Sequence, residues 1–364
     1  MEVHALRVAF RIEPGSKEPA QIYRGNKVSN RINIGVIGLG RLGRVYASYL
    51  AHRVSSARLV AVADSHFDVA ATLAHDLEIP RWYKSHTELL EDAQVDAVAV
   101  LTSTKSHKEV VIDAASAGKA IFCEKPIAMS VEDAEEMLAA IAKAGVFFQP
   151  AFQRRFDPGY VSAKSRVEDG TIGTPVVITS TSRDPFRPSL EFCDPRVSGG
   201  LIADMGIHDF DLARMFMGEV KSVYASGAAL AYPEMKDIGD IDNAVINLTF
   251  RGGGLGAVQL SRNAVFGYDI RTEIWGTKGS LQIGYFRQTP LLVMTKEGIS
   301  HDAVPYFMER FECAYLAQIQ NFVDSVLNGR EPAVSGSDAI EAIRVSLAAT
   351  VSCREQRVVE IPAA

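Results

Sequence analysis

IGVIGLGRLG, at residues 34–43, is the stretch that decides the fold of this chain. A short apolar strand runs directly into a GxGxxG turn, and residues 44–51 continue with a helical pattern. In that setting Gly38 permits the tight turn, Gly40 leaves room for a pyrophosphate, and Gly43 lets the helix pack closely against the strand. The N-terminus of such a helix also presents free N–H groups and a partial positive charge to phosphates. The stretch therefore predicts a dinucleotide-binding turn.

An acidic residue follows the second apolar strand. The strand Leu59–Ala63 ends directly before Asp64, whose carboxylate is placed to accept both hydroxyls of an adenosine ribose and to repel a 2′-phosphate. We therefore predict NAD rather than NADP, with Leu39, Arg41 and Leu42 completing the contacts of the turn. NADP stays open as the alternative, because the Arg41 guanidinium is a group that binds phosphate.

Apolar strands alternate with helical stretches throughout residues 31–150. The predicted strands are Ile32–Ile37, Leu59–Ala63, Ala97–Leu101, Ala120–Cys123 and Phe147–Pro150. Parallel strands need crossovers long enough for a helix, so this alternation predicts βαβ units and a Rossmann domain over residues 31–150.

Three hydroxyl side chains follow the strand Ala97–Leu101. Thr102, Ser103 and Thr104 stand where a Rossmann sheet presents loop groups to its ligand, so we predict that they contact the cofactor. His107 begins the next helix, and it either contacts the cofactor or only caps that helix.

The pattern changes after residue 150. A helix at Pro158–Asp169 leads into longer strands of alternating polarity, which are Val176–Ser182, Val220–Ala228, Asn243–Phe250, Leu255–Arg262, Asp269–Gly276 and Gly279–Ile283. Glycine-rich turns such as Arg251–Gly254 join strands, which predicts an open, mostly antiparallel sheet. With two late helices, Phe307–Leu327 and Gly336–Cys353, residues 151–364 are predicted to form a second α/β domain.

Composition limits the class of protein. Of 364 residues, 47% are hydrophobic and 23% are charged, with a formal net charge of −6, which is typical of a globular chain and leaves no basic surface for nucleic acid. No apolar run reaches the ~18 residues that a membrane span needs. The four cysteines are scattered without metal-binding spacing, so we expect reduced thiols, no metal, and a cytoplasmic protein whose partner is a small molecule.

Residues 1–30 precede the first strand of the pattern. Charged residues such as Arg7, Arg11 and Lys17 interrupt any apolar core, so the segment is unlike a signal peptide. We interpret it as an N-terminal extension, with a short edge strand at Leu6–Ile12 as the alternative.

Lys125 follows an apolar strand directly, in the run Glu124-Lys125-Pro126. A lysine at the carboxyl edge of a nicotinamide-binding sheet can donate a hydrogen bond to a substrate hydroxyl and favour the developing alkoxide. A surface charge is the alternative that its position alone leaves open.

Asp204 and His208 lie four residues apart in a stretch that has the apolar spacing of one helix, at Leu201, Met205 and Phe216 among other positions. Side chains at i and i+4 share a helix face, so we predict that the carboxylate orients the imidazole and stabilises its protonated form. Oxidation of a carbinol needs such a base, because a proton leaves the oxygen while hydride leaves the carbon. An ordinary surface pair is the alternative.

These motifs together resemble the family of glucose-fructose oxidoreductase and inositol dehydrogenase (Gfo/Idh/MocA), over about residues 31–362. The resemblance is carried by the glycine turn, Asp64, Glu124-Lys125-Pro126, and Gly199-Gly200 with Asp204 and His208. The segments Gln153–Pro158, Thr181–Pro185 and Phe266–Asp269 are most similar to the inositol 2-dehydrogenase branch.

The resemblance implies an activity and an assembly. It implies NAD-dependent oxidation of a cyclic polyol, myo- or scyllo-inositol, to the inosose, with Lys125, Asp204 and His208 as catalytic and substrate-binding residues. It also implies that the outer face of the second sheet builds an oligomer, commonly a homotetramer.

Further site residues follow from the same resemblance. Arg155 and Tyr268 match positions that line the substrate pocket, and Arg183 is a plausible addition. Glu124 and Gln153 extend the predicted cofactor contacts. The proline-bearing segment 184–197 is where we expect differences between branches, so it leaves the exact substrate open.

Three other functions stay open. The enzyme could oxidise a pyranose such as glucose, because ring hydroxyls of sugars and inositols present similar geometry to a pocket. It could instead keep NADP bound and alternate two sugars. A non-catalytic cofactor-binding regulator is the third, although the presence of Lys125, Asp204 and His208 argues against it.

Overall fold

The computed structural model describes residues 31–285 and 287–363. The predicted N-terminal extension and the alternative strand at Leu6–Ile12 lie outside the described residues.

The first sheet is entirely parallel. Its strands are Ile32–Ile37 (β1), Ala57–Ala63 (β2), Arg81–Tyr83 (β3), Ala97–Val100 (β4), Ala120–Glu124 (β5) and Phe148–Ala151 (β6). They are ordered β3-β2-β1-β4-β5-β6, so the direction of the winding reverses between β1 and β4. Ligands of such sheets bind in the crevice that this reversal opens at the carboxyl ends of the strands. The predicted Rossmann fold is confirmed.

Five helices connect these strands. They are Arg41–His52 (α1), Phe67–Asp76 (α2), His86–Leu90 (α3), Thr104–Ser116 (α4) and Val131–Ala144 (α5). The inward stripe of α1 consists of Tyr46, Ala47 and Leu50, which are buried against the sheet. Because parallel strands are covered on both faces, their residues form continuous apolar runs, which is why the sequence showed them clearly.

The second sheet is mostly antiparallel. Its strands are Pro175–Arg183 (β7), Val220–Ala228 (β8), Asn243–Phe250 (β9), Leu255–Ser261 (β10), Asp269–Gly276 (β11), Ser280–Ile283 (β12) and Val359–Glu360 (β15). The order is β12-β11-β7-β10-β9-β8-β15, and among the described residues of this second sheet only the β7–β10 pair is parallel. The predicted sheet is confirmed, and a separate hairpin of Val293–Thr295 (β13) and Gly298–Ser300 (β14) follows it.

Seven more helices complete the described fold. They are Pro158–Glu168 (α6), Leu190–Cys193 (α7), Pro195–Ser198 (α8), Gly200–Asp204 (α9), Gly206–Met217 (α10), Phe307–Asn328 (α11) and Gly336–Glu355 (α12), with 3₁₀ turns at Gln153–Phe156 and Pro233–Ile238. Helices α10 and α12 cover one face of the second sheet. On the other face Val245, Leu255 and Trp275 are exposed.

Helix α11 returns to the first sheet and joins the two cores. The ring of Phe322 lies 5.6 Å from that of Phe122 on β5 and 5.7 Å from that of Phe147. Aromatic packing of this kind holds the strand that precedes Lys125 against the C-terminal helices. Within the described residues, none of the helices combines the length and apolarity that crossing a bilayer requires.

Candidate active site

The glycine turn is shaped by its backbone. Gly38 adopts a φ of +91°, and a Cβ there would lie 2.6 Å from the Thr102 backbone nitrogen. A Cβ on Gly43 would lie 2.0 Å from the carbonyl oxygen of Gly38, whereas one on Gly40 would meet nothing within 4 Å. Two glycines are therefore required by close packing, and the middle glycine faces open space of the kind that a pyrophosphate would fill.

A cleft of about 620 Å³ lies beside this turn. It runs along the carboxyl ends of β1, β2 and β4, and its lining includes Gly38, Leu39, Gly40, Asp64, Thr102 and Ser103. Helix α1 begins beside it without a side-chain cap at Gly40, so its first N–H groups remain available to an anion. These features fit the dinucleotide predicted for the turn.

Asp64 closes the turn onto the second strand. Its Oδ2 accepts a hydrogen bond from the Leu39 N–H at 2.8 Å, and its Oδ1 accepts one from the His66 N–H at 2.9 Å. Each carboxylate oxygen has a second lone pair, so the side chain retains capacity for ribose hydroxyls.

Leu42 and Thr104 are among the predicted cofactor residues that lie outside the lining of this cleft. Leu42 packs against the hydrophobic core, because it lies on the inward side of α1. Thr104 is the first residue of α4. Thr102 and Ser103 line the cleft, and the cofactor contacts of all four residues stay predictions.

Arg41 is turned toward α11. Its guanidinium lies 4.6 Å from the centre of the Phe307 ring and 5.6 Å from that of Tyr306. Cation–π contacts of this kind hold the charge away from the ribose acid at Asp64. The Arg41 guanidinium, which left NADP open as an alternative in the sequence, therefore contacts the aromatic rings of Tyr306 and Phe307.

His107 is buried and supports the loops around the site. Its Nδ1 lies 3.0 Å from the Pro126 carbonyl oxygen, and its Nε2 lies 3.1 Å from that of Thr102. Burial lowers the pKa of the ring, against the raising effect of these carbonyls. Both ring nitrogens face the loops that follow β4 and β5, and the predicted cofactor contact of His107 stays a prediction.

The outer end of the cleft carries a small polar group. His86, Glu109 and Asp113 bring one potential ligand atom each within 4.8 Å of one another. His86 Nε2 lies 2.9 Å from Asp113 Oδ2, and this hydrogen bond accounts for the arrangement.

Lys125 stands at the carboxyl end of β5 and contacts Asp204. Its Nζ donates to the Asp204 backbone oxygen at 3.0 Å and to Oδ1 at 3.3 Å. The other carboxylate oxygen, Oδ2, accepts from Arg262 Nη2 at 3.2 Å. Asp204 is thus held between two cations.

Asp204 and His208 belong to different helices. Helix α9 ends at Asp204 and α10 begins at Gly206, so the single helix predicted from the apolar spacing is interrupted at Met205. Within the described chain, the buried Nδ1 of His208 has no hydrogen-bond partner. The prediction that Asp204 orients His208 is wrong, because two cations bind this carboxylate instead of the imidazole.

His208 has the properties of a neutral base. It is buried, and the edge of its ring faces Phe152 at a centroid distance of 6.3 Å. Burial, together with the charges of Lys125 and Arg154, holds the pKa of His208 well below its ordinary value of 6.5. A neutral imidazole within reach of Lys125 can accept a proton at physiological pH.

Tyr268 lies beside the site, as its sequence context indicated. The residue is buried, and its ring packs edge-on against Tyr306 and Phe311 at 5.7 and 6.3 Å. Burial raises the pKa of its hydroxyl, which also feels the charges of Arg154 and Asp184. Its contact with substrate stays a prediction.

Arg155 has a structural role. Its Nε and Nη2 donate to both carboxylate oxygens of Asp211, at 2.8 and 2.6 Å, and Nη2 also lies 3.1 Å from Asp338. This ion-pair cluster links the 3₁₀ turn to α10 and α12. These carboxylates bind the Arg155 guanidinium, and its contact with substrate stays a prediction.

Arg183 faces the open side of the second sheet. Its neighbours on β7, Ser182 and Ser180, point into the core, so alternation places Arg183 on the opposite face. There it contacts Gln259 at 2.8 Å and Asp269 at 3.3 Å. That Arg183 extends the substrate pocket stays a prediction.

Two predicted cofactor residues are buried polar groups. Glu124 accepts hydrogen bonds from the Tyr46 hydroxyl at 3.2 Å and from the Lys125 N–H at 3.0 Å. Burial raises the pKa of Glu124 to about 7, against the lowering effect of Lys125. Gln153 is buried in the 3₁₀ turn. Their contacts with the cofactor stay predictions.

Sequence reasoning missed Asp184, Arg154 and Arg262. Asp184 directly follows β7, and burial and Asp204 raise the pKa of its carboxyl to about 7. Arg154 is buried and donates to Asp209 at 2.9 Å. A signal existed for Asp184, since it directly follows a strand as Lys125 does. For the two arginines, the local sequence gave no comparable signal.

A dinucleotide cleft beside a lysine, a carboxylate and a neutral histidine, built on a Rossmann sheet joined to an open α/β sheet, defines a two-domain nicotinamide-dependent oxidoreductase. Residues 32–152 match the NAD-binding Rossmann fold of the Gfo/Idh/MocA oxidoreductase family, and residues 164–361 match the C-terminal α/β domain of that family. The chain belongs to the Gfo/Idh/MocA family, and NAD is its cofactor.

Relatives and solved structures agree with this assignment. The chain is 42% identical to myo-inositol 2-dehydrogenase of Thermotoga maritima, over 91% of this chain and 98% of the relative. It is 38% identical to scyllo-inositol 2-dehydrogenase (NAD(+)) of Bacillus subtilis, over 92% and 97%. The scyllo-inositol dehydrogenase of Lactobacillus casei, solved with NAD(H) and scyllo-inositol, superimposes with a TM-score of 0.88 at 32% identity, over 92% of this chain and 100% of that one.

Proposed function

We propose that this chain oxidises myo- or scyllo-inositol to the corresponding inosose with NAD. The observation that carries the proposal is the contact of Lys125 with Asp204 at the carboxyl edge of the NAD-binding sheet, with the buried His208 close enough to Lys125 to feel its charge. The names of the relatives support an inositol as the substrate.

The residues of the chain divide the proton chemistry between them. NAD, when bound, supplies the C4 position that accepts hydride from the carbinol carbon. His208 accepts the hydroxyl proton, since burial keeps the ring neutral. Lys125 donates a hydrogen bond to the same oxygen and favours the developing alkoxide. Asp204 holds the Lys125 ammonium through its backbone and side-chain oxygens.

The substrate ring needs further polar partners. Asp184 and Tyr268 share the electrostatic environment of Arg154 and lie on segments next to the catalytic groups. We assign them to ring hydroxyls that do not react.

The open face of the second sheet is proposed as the contact between subunits of a homotetramer. Trp275, Val177 and Leu255 stand side by side across three strands of that face. Exposed apolar patches of this kind mark protein interfaces. The cytoplasmic location stays a prediction.

Replacing the base tests the assigned chemistry. With saturating inositol and NAD, His208→Ala lowers kcat by about 10² to 10⁴, because proton transfer loses its acceptor. His75→Ala, at an exposed histidine on α2, is the matched control and leaves kcat unchanged. Near-normal turnover by His208→Ala would show that another group is the base.

A further inference from the structure

Arg262 is a fully buried cation directly after β10. Its guanidinium donates from Nη2 to Asp204 Oδ2 at 3.2 Å and from Nη1 to the Sγ of Cys193 at 3.0 Å. The side chain has 0% exposure. A buried charge is costly unless it is paired, so a guanidinium in this place needs Asp204 as its partner.

Each carboxylate oxygen of Asp204 is bound by a different cation. Lys125 occupies Oδ1 and Arg262 occupies Oδ2. A carboxylate with a single partner can rotate about its side-chain torsions, whereas one bound at both oxygens is held in one orientation. The contact of the Lys125 ammonium with this carboxylate therefore depends on Arg262, although Arg262 does not itself contact Lys125 in the described hydrogen bonds.

The second arm of the guanidinium reaches the segment between β7 and α9. Cys193 ends α7 and is buried against Ala229 and Met235. The planar guanidinium of Arg262 thus connects the segment that follows Asp184 with the Asp204 carboxylate, which in turn binds Lys125. Lysine can replace only one of these two contacts, because it lacks the planar fork of arginine.

We propose that Arg262 is a positioning residue, which fixes Asp204 so that Lys125 is held at the reacting oxygen. The inference rests on the proposed function, because it assumes that Asp204 and Lys125 serve the oxidation. It assigns no direct contact between Arg262 and substrate.

A double-mutant cycle on kcat tests the inference. Arg262→Met lowers kcat by about 10²-fold, since displacement of a catalytic group by about 1 Å has an effect of that size, and KM for NAD is unchanged. In the Asp204→Asn background the same substitution has little further effect, because Arg262 acts through that carboxylate. Arg262→Lys recovers part of kcat, since an ammonium can still bind Oδ2.

The control separates positioning from stability. Arg310 is another buried arginine, paired with Asp157 at 2.6 Å, and Arg310→Met lowers the melting temperature without a comparable loss of kcat. If Arg262→Met does not fold, Arg262→Lys carries the test, with kcat between wild type and Asp204→Asn. Additive effects in the cycle, or wild-type kcat in both Arg262 variants, would overturn the inference. Full activity of Asp204→Asn would instead contradict the proposed function.

Discussion

Asp184 carries a carboxyl group whose pKa is changed by its surroundings. Burial and the nearby Asp204 raise its pKa to about 7, although Arg262, Arg154 and Lys125 oppose them. Below that pH the group carries a proton and can donate a hydrogen bond, and above it the group only accepts. A polyol hydroxyl can form a hydrogen bond with either form of the carboxyl group, because a hydroxyl both donates and accepts.

The same residue makes stability depend on pH. Because the folded pKa is raised, the native protein keeps a proton that the unfolded chain has lost between about pH 4 and pH 7. Stability from this group is complete below the unfolded pKa and is lost as the pH rises through about 7. We expect Asp184→Asn to raise the melting temperature above pH 7, by a margin that shrinks toward about pH 4.

Thermal melting of both proteins at a series of pH values measures this margin. Asp68→Asn, at an exposed acid on α2, serves as the control and gives no pH-dependent difference. A margin for Asp184→Asn that stays constant with pH would contradict the assigned shift.

For single residues, the sequence predicts a role where the local backbone geometry requires one residue type. The glycines and Asp64 could be predicted because a tight turn and a strand end define them locally. Arg154 and Arg155 are adjacent and identical in type, and only the three-dimensional direction of each side chain separates them. Arg262 reaches Asp204 across 58 positions of sequence, a contact that no local pattern encodes.

The glycine turn is the element on which cofactor binding depends. Gly40→Ala places a methyl group in open space, so we expect the melting temperature to be unchanged. The same methyl group occupies the space of the pyrophosphate, and KM for NAD should rise about tenfold, equivalent to roughly one charge-assisted hydrogen bond.

Gly43→Ala is the matched variant, three residues along the same turn. Its methyl group would meet the Gly38 carbonyl oxygen at 2.0 Å, so the backbone must shift and the protein loses about 1–3 kcal/mol of stability. Melting temperatures and KM for NAD of the two variants check both expectations. An equal loss of stability in the two variants would contradict the distinct roles of these glycines.

Elements differ in how well a sequence reveals them. The longer strands were predictable because their apolar or alternating residues span whole segments. The interruption at Met205 was hidden, since the apolar positions on both sides fit one helix. At Gly206, where α10 begins, a Cβ would approach the Phe210 ring at 3.0 Å and the Leu260 side chain at 3.1 Å. Short elements such as β3 and α7 carry too few residues for any period.

Across the whole molecule, the open face of the second sheet is the surface that we propose as the subunit contact. Leu255 and Trp275 are 54% and 46% exposed there, although both lie on strands whose other face is buried. We expect Leu255→Asp to weaken the proposed tetramer, because a desolvated carboxylate within an interface is unfavourable.

Light scattering during size-exclusion chromatography measures the mass of the assembly that the wild type and each variant form. Phe67→Asp, at an exposed aromatic residue of α2, is the control and should keep the wild-type mass. A wild-type tetramer that Leu255→Asp leaves intact would place the subunit contact elsewhere.

The central claim is that this site oxidises an inositol with NAD. The most direct test is kcat/KM for myo-inositol, scyllo-inositol and glucose, each with NAD and with NADP, followed by the absorbance of the reduced nicotinamide. We expect the highest value for one of the two inositols with NAD. A higher value for glucose than for either inositol, a preference for NADP, or no reduction with any of the three substrates would contradict it.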